Sequence, residues 1–268
     1  MAADPMALEA VEREAWLDMY AAAPPPFAAA TGLAATRLAG AAGFAIRVAP
    51  TIEFNRLQGL GVEEPATEAA LDAALDWLRT NSNPSWALQI VPEAVPTAWL
   101  EARGLGLYKH GWAKFFREPT LPPAPSTTLD IRAIDPEYAG DFGAVVQAGF
   151  GAPPPFAAWA GAVVGRPKWR CYVGYDGEAP VAAGALFIDA SLGWLGFGTT
   201  LASHRGRGGQ SALLHRRIAD AVAEGVSGLV TETGRPAPGE EAAHPSFRNI
   251  GRAGFEIAYT RANYRSAA

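Results

Sequence analysis

Apolar and polar positions along this chain alternate between two periods, and the changes of period mark out a repeating course. Residues 7 to 22 carry a helical spacing. "ATRLAG" and "GFAIRVAP" then alternate as a hairpin pair with glycine at the turn, and "EFNRLQGLGV" reads as a third strand. "EAALDAALDWLRTNS" places Leu71, Ala74, Leu75 and Leu78 on one face and predicts an amphipathic helix. "SWALQIVP" is a buried strand, "TAWLEARG" a short helix ended by Gly104, and "YKHGWAKFF" a last strand.

The second half repeats the order. "LDIRAI" is a strand, followed by helices in "DPEYAGDFGAVVQAGF" and "PPFAAWAGAVVG". "KWRCYVGYD" and "APVAAGALFIDA" form a hairpin, "LGWLGFGTTLA" the next strand, and Gln210 to Glu224 a long helix. "SGLVTETG", "HPSFRNIGRAG" and "FEIAYTRANY" close the course as strand, short helix and strand. Between the halves lies "REPTLPPAPSTTL", polar, aperiodic and rich in proline, as a stiff linker would be. The expected organisation is therefore a first domain over 1–118, a linker over 119–128 and a second domain over 129–268. The heptapeptide "APPPFAA" occurs in both halves, at Ala23 and Ala152. A chance match is open in so Ala- and Pro-rich a chain, and the shared order of elements is the better evidence for two related domains.

Composition narrows the classes. With 268 residues, 49% hydrophobic and 18% charged, the chain has enough apolar content for a sizeable core. A formal net charge of -5 argues against general nucleic-acid or membrane-surface binding. The opening residues carry early acids and do not read as a signal peptide, and no run approaches a membrane span, so a cytoplasmic protein is expected. The single cysteine, Cys171, rules out an internal disulfide and a cysteine zinc cluster, and its apolar strand-like setting reads as core. No His, Asp and Glu cluster has metal-ligand spacing, so no metal is expected, and no Gly-x-Ser-x-Gly elbow appears.

The chemistry-bearing stretch is "SHRGRGGQSALLHRRIADAVAEG", Ser203 to Gly225. Glycines at a strand-to-helix turn let the backbone approach an anion. The free N–H groups and dipole of the helix N-terminus attract that anion, and Arg205 and Arg207 add positive charge. No lysine follows as a P-loop needs, and Ser211 stands where a dinucleotide fingerprint beginning at Gly206 and Gly208 needs its third glycine. The run Arg205, Gly206, Arg207, Gly208, Gly209, Gln210, Ser211, Ala212, Leu213, Leu214 resembles the acyl-CoA-binding motif of the GNAT superfamily of N-acetyltransferases, and "PSFRNIGRAGFEIAYTR" resembles that family's late helix and strand.

The resemblance implies an α/β (α+β) fold, a mixed and mostly antiparallel central sheet flanked by helices, in two tandem copies. It implies acetyl-CoA as acyl donor, with the pyrophosphate on Arg205 to Ser211 and the pantetheine arm along Gly198, Thr199 and Thr200. Asn249 is a further candidate for cofactor contact, or a brace of its helix. Gln210 departs from the family's Gly or Ala. Ile250 and Ala243 stand where the family often has a tyrosine and an asparagine, so no thiolate acid follows from the motif.

Acyl transfer to an amine needs a base, because a lysine-like amine is almost wholly protonated at pH 7. Glu232, near the end of "LVTETG", is the candidate base, and Tyr259 and Tyr264 on the last strand are candidate acids, each with a plain structural alternative. His204 reads as loop-rim. The corresponding loop of the first half, "QGLGVEEPATEAALDAAL", has Gly59 and Gly61 but no arginine, and Glu63 and Glu64 disfavour an anion there. The first domain is expected to keep the shape without CoA binding, and to wall off the cleft or dimerise. A small-molecule or peptide amine is the expected partner. A non-catalytic acyl-CoA-binding protein and an inert interaction module remain alternatives.

Overall fold

The computed structural model describes residues 4–266. Helices α1 (Pro5–Ala21) and α2 (Pro25–Thr31) precede the strands β1 (Leu33–Leu38), β2 (Ala41–Ile46) and β3 (Arg56–Gln58). Helix α3 (Glu68–Asn81), β4 (Ala87–Ile90), α4 (Thr97–Glu101), β5 (Leu105–Leu107) and β6 (Trp112–Arg117) complete the first half. The second half runs β7 (Asp130–Ala133), α5 (Ala139–Phe150), α6 (Phe156–Gly161), β8 (Trp169–Asp176), β9 (Ala179–Asp189), β10 (Leu192–Thr200), α7 (Gly209–Ala223), β11 (Gly228–Gly234), α8 (Pro245–Arg252) and β12 (Glu256–Ser266).

The strands form one sheet in the order β1-β2-β3-β4-β12-β6-β11-β10-β9-β8-β7, with β5 paired to β12. Pairing is antiparallel except for β3 with β4 and β10 with β11. The mixed, mostly antiparallel sheet flanked by helices is the expected fold class, in two copies.

The last strands of the two halves do not stay at home. β6 of the first half lies beside β11 of the second, pairing Leu229 with Arg117 through to Gly234 with Trp112. β12 pairs with β6 over its first residues and then with β4 and β5 of the first half. Periodicity predicts which face a strand buries, not which neighbour it takes, so this exchange is invisible in the pattern.

One face of the sheet carries a core common to both halves, in which Leu8, Val11, Ala15 and Met19 of α1 meet Phe44, Phe142, Trp159, Phe187 and Trp194. The other face carries two separate cores, one under α7 and α8 and one under α3 and α4. The two "APPPFAA" copies meet in the common core. Phe27 of α2 and Phe156 of α6 stack edge to face, with ring centroids 5.1 Å apart, and both rings touch Trp159. Such a pair contributes about 0.5–1.5 kcal/mol beyond area burial. The α2 helix itself, with proline at its start and Gly32 (φ +63°) at its end, is an element the sequence reading passes over.

Candidate functional site

The site is a fork in the second half of the sheet. β10 and β11 pair only at Leu192–Trp194 with Gly228–Val230, and beyond that they separate. The Thr231 hydroxyl donates to the Leu195 carbonyl at 2.9 Å and marks the crotch. Beyond it β10 bulges between Gly196 and Thr199, where Phe197 sits at φ +58° and Gly198 is exposed. A bulge frees backbone groups from the ladder, so the open edge Gly198–Thr200 faces the fork with polar groups to spare. Thr199 and Thr200 are buried, and the Thr200 Oγ1 has no hydrogen-bond partner among the described residues.

β10 leads into the glycine–arginine loop and then α7. The N-cap of α7 is Gly208 at φ +78°, with no side-chain cap and no acid in the first turn. The backbone N–H groups of Gly206, Arg207, Gly208, Gly209, Gln210 and Ser211 meet no acceptor among the described residues. Gly206 (φ +80°) has no atom within 4 Å of where its Cβ would stand. Six N–H groups without acceptors at the start of an uncapped 15-residue helix are donors that an anion could satisfy.

The two arginines of the loop have different surroundings. Arg205 is exposed, with one contact from Nε to the Thr200 carbonyl at 3.3 Å, and is free to meet an anion. Arg207 is spoken for. Its guanidinium grips Asp176 with two bonds of 2.6 and 3.0 Å and reaches the Thr128 hydroxyl at 3.0 Å. His204 also approaches Asp176, at 3.3 Å. The proline-rich segment is part of this brace, since Thr127 donates to the Arg207 carbonyl and a Cβ on Gly208 would run into the Ser126 carbonyl. The Gln210 side chain turns back against Gly198, so it lies over the bulge rather than across the N–H row. Asn249 is half-buried on α8, and its backbone carbonyl accepts from Ala253.

Glu232 lies in the opened arm of β11, its side chain only 6% exposed. It accepts from Trp194 Nε1 at 2.8 Å, and Lys114 Nζ stands 3.9 Å away. Burial, and then the charge of Glu12, push its carboxyl up to about 7. Tyr259 faces the same region, but its hydroxyl donates to Glu9 at 2.7 Å, and burial with that carboxylate raises its pKa. Tyr264 is elsewhere. It pairs with Leu88 and Leu107 and packs into the core of the first half, because β12 has crossed over by that point. The structure thus brings Glu232 and Tyr259 together and leaves Tyr264 apart from both. Cys171 is buried, which pushes its thiol up to about 12 and leaves it inert.

Two features escaped the sequence reading. Arg217 is buried on α7 and donates to the carbonyls of Leu213, Ala185 and Gly196, the last at the bulge. Burial lowers its pKa to about 10, and it has no carboxylate partner among the described residues. Glu9 and Glu12 of α1 are buried at the junction of the halves. In both cases the signal is a charge on an apolar stripe. Arg217 falls between Leu213, Leu214, Ile218 and Ala221, and Glu12 between Leu8, Val11 and Ala15.

The same place in the first half is closed. A Cβ on Gly61 (φ +79°) would run into the Ala94 carbonyl, and Thr67 caps α3 by accepting from the Ala70 N–H at 3.1 Å. Glu63 pairs with Arg13 at 2.6 Å. Among the described residues no group of three or more His, Cys, Asp or Glu could hold a metal ion, and no helix is long and apolar enough to cross a membrane.

No family model and no curated protein matches this sequence. Solved structures do. The GCN5-related N-acetyltransferase from Kribbella flavida is 17% identical over 97% of this chain and 96% of that one, with a TM-score of 0.60. The GCN5-related N-acetyltransferase from Sphaerobacter thermophilus is 18% identical over 84% and 75%, with a TM-score of 0.60. A tandem GNAT protein from the clavulanic acid biosynthesis pathway is 17% identical over 97% and 92%, with a TM-score of 0.55. With one mixed sheet in which the two halves follow the same order of strands and helices, the chain has the tandem GNAT fold.

Proposed function

We propose that this chain is an acetyltransferase working at the fork of its second half, moving an acetyl group from acetyl-CoA to the amine of a small molecule or peptide by direct attack in a ternary complex. The observation that carries the reading is the row of six unpartnered N–H groups from Gly206 to Ser211 at the uncapped start of α7. That row and Arg205 would hold the pyrophosphate, and the bulged edge Gly198–Thr200 would take the pantetheine arm. Acetyl-CoA, when bound, supplies an acetyl thioester, and the residues of the chain supply position and proton handling.

Glu232 is the proton acceptor in this reading. A carboxyl group that titrates near neutrality can take a proton from an ammonium substrate through water. The first half has no equivalent anion site and serves as scaffold. One observation favours binding without turnover: the Tyr259 hydroxyl is engaged by Glu9 and so is not free to protonate a departing thiolate.

Two measurements test the reading. Acetyl-CoA should raise the melting temperature, since a ligand at 100 times its Kd adds about 2.7 kcal/mol to the folded state. Acetyl-CoA consumption against a panel of amines should then show an acceptor. Unchanged melting at millimolar acetyl-CoA would overturn the site, and tight binding with no turnover on any amine would leave the binding-only reading.

A further inference from the structure

Six ionisable side chains meet where the halves join. α1 brings Glu9 and Glu12, β3 brings Arg56, β6 brings Lys114, β11 brings Glu232 and β12 brings Arg261, all with side chains 6% exposed or less. Lys114 lies directly between Glu232 and Tyr259 in the ladder. Its ammonium is shared unequally, with Glu12 in closest contact, Glu9 at 3.7 Å and Glu232 at 3.9 Å. Glu12 also holds Arg261 at 2.9 Å and Arg56 at 3.1 Å. Burial works against the charge on Glu12, but Arg261, Lys114 and Arg56 outweigh it, so Glu12 stays ionised far below the ordinary carboxylate range. Glu232, by contrast, has one indole N–H and the far side of an ammonium that another carboxylate holds.

We propose that the first half of the chain sets the proton affinity of Glu232, with Lys114 and Glu12 as paired positioning residues of opposite effect. Lys114 draws Glu232 toward the ionised form, and Glu12 opposes it both by its own charge and by holding the ammonium. The exchange of β6 into the second half is what places Lys114 beside Glu232. The network is not tuned for stability alone. Arg56 leaves Nε and Nη1 without acceptors, Arg261 leaves Nε so, and buried ion clusters are in general poor stabilisers. Its arrangement makes sense as a means of holding one carboxyl group ready to gain or lose a proton near neutrality. The inference rests on the acetyltransferase reading for its purpose, but not for its test.

The test is the carboxyl titration of Glu232, read by infrared or carbon NMR on the whole chain without acyl donor, and assigned by the signal that Glu232→Gln removes. Lys114→Met should raise the midpoint by at least about one pH unit, and Glu12→Gln should lower it by a similar amount, the range for a charge within a few ångströms. Lys114→Arg should stay near the parent. Lys114→Gln, which removes the charge and keeps a hydrogen-bonding side chain, should also raise the midpoint and carries the test if Lys114→Met does not fold. Stability should follow. The raised carboxyl group stabilises the fold below its ordinary value near 4.5, and that contribution fades as pH rises toward about 7, a slope that Glu232→Gln should abolish. Midpoints that move in the same direction for Lys114→Met and Glu12→Gln, or do not move, would overturn the inference. Opposite shifts without a matching shift in the pH profile of turnover would uphold it and remove Glu232 from the role of base.

Discussion

At the entries to α3 and α7 the chain makes the same kind of turn and fills it oppositely. Each follows the first strand of the parallel pair of its half, and each has a glycine near φ +80°, Gly61 in one and Gly206 in the other. At α3 the cap and the charges are met from within. Thr67 caps the helix, Glu68 meets the dipole, Arg13 takes Glu63, and the Ala94 carbonyl packs on Gly61. At α7 the cap is a glycine, the first turn has no acid, and the space beside Gly206 is empty. A helix start that supplies its own cap has no use for an anion, and one that supplies none leaves the need to be met from outside. On the proposed reading, function lies in which local interactions have been left out, on a frame that both halves share.

That comparison treats the halves as two fillings of one scaffold, and the largest effect would come from separating them. Residues 1–118 and 129–268 expressed apart should each lack a cooperative unfolding transition, because each loses a central strand of its sheet, β12 from one and β6 from the other. Mixing the two fragments should restore structure. A second half that unfolds cooperatively and binds acetyl-CoA alone would show the scaffold to be separable after all.

Next in size is an exchange of the glycines' surroundings. Gly206→Glu puts a carboxylate into the row of N–H donors and should weaken CoA binding on the order of 10²-fold, about 2.7 kcal/mol. Gly61→Glu should lower the melting temperature, because its side chain has nowhere to go past the Ala94 carbonyl, yet leave the CoA affinity of the folded protein unchanged. Equal losses of affinity from the two changes would dissolve the distinction between a loaded and an unloaded half.

Much of this was legible in the chain. The stripe of Leu71, Ala74, Leu75 and Leu78 placed α3, and the glycines from Gly206 to Gly209 marked the turn into α7 as open enough for an anion. The acids Glu63 and Glu64 marked the first loop as hostile to one. What could not be read was partnership. Lys114 looks like the polar position of an alternating strand, and only the neighbouring β11 and the α1 helix above it make it part of a site. Arg207 looked like a free cation, and its engagement depends on Asp176 at the end of β8 and on the linker hydroxyls. Tyr264 looked equivalent to Tyr259 on one strand, but that strand passes from one half to the other between them.

The smallest expected effect isolates the cap itself. Thr67→Ala removes the hydroxyl that accepts from Ala70 and should cost about 1 kcal/mol, or about 2 to 4 °C in Tm for a chain of this size. No comparable loss is available at α7, where Gly208 contributes no side-chain cap. Its stabilisation should come instead from added inorganic pyrophosphate, which raises Tm by binding only the folded protein. If α3 and α7 differ as described, the pyrophosphate increment should be the same in the parent and in Thr67→Ala, because the anion sits at α7 alone. It should disappear in Gly206→Glu. A larger increment in Thr67→Ala would mean that the uncapped α3 has begun to accept the anion, and that Thr67, rather than the acids and the packed Gly61, is what closes the first half.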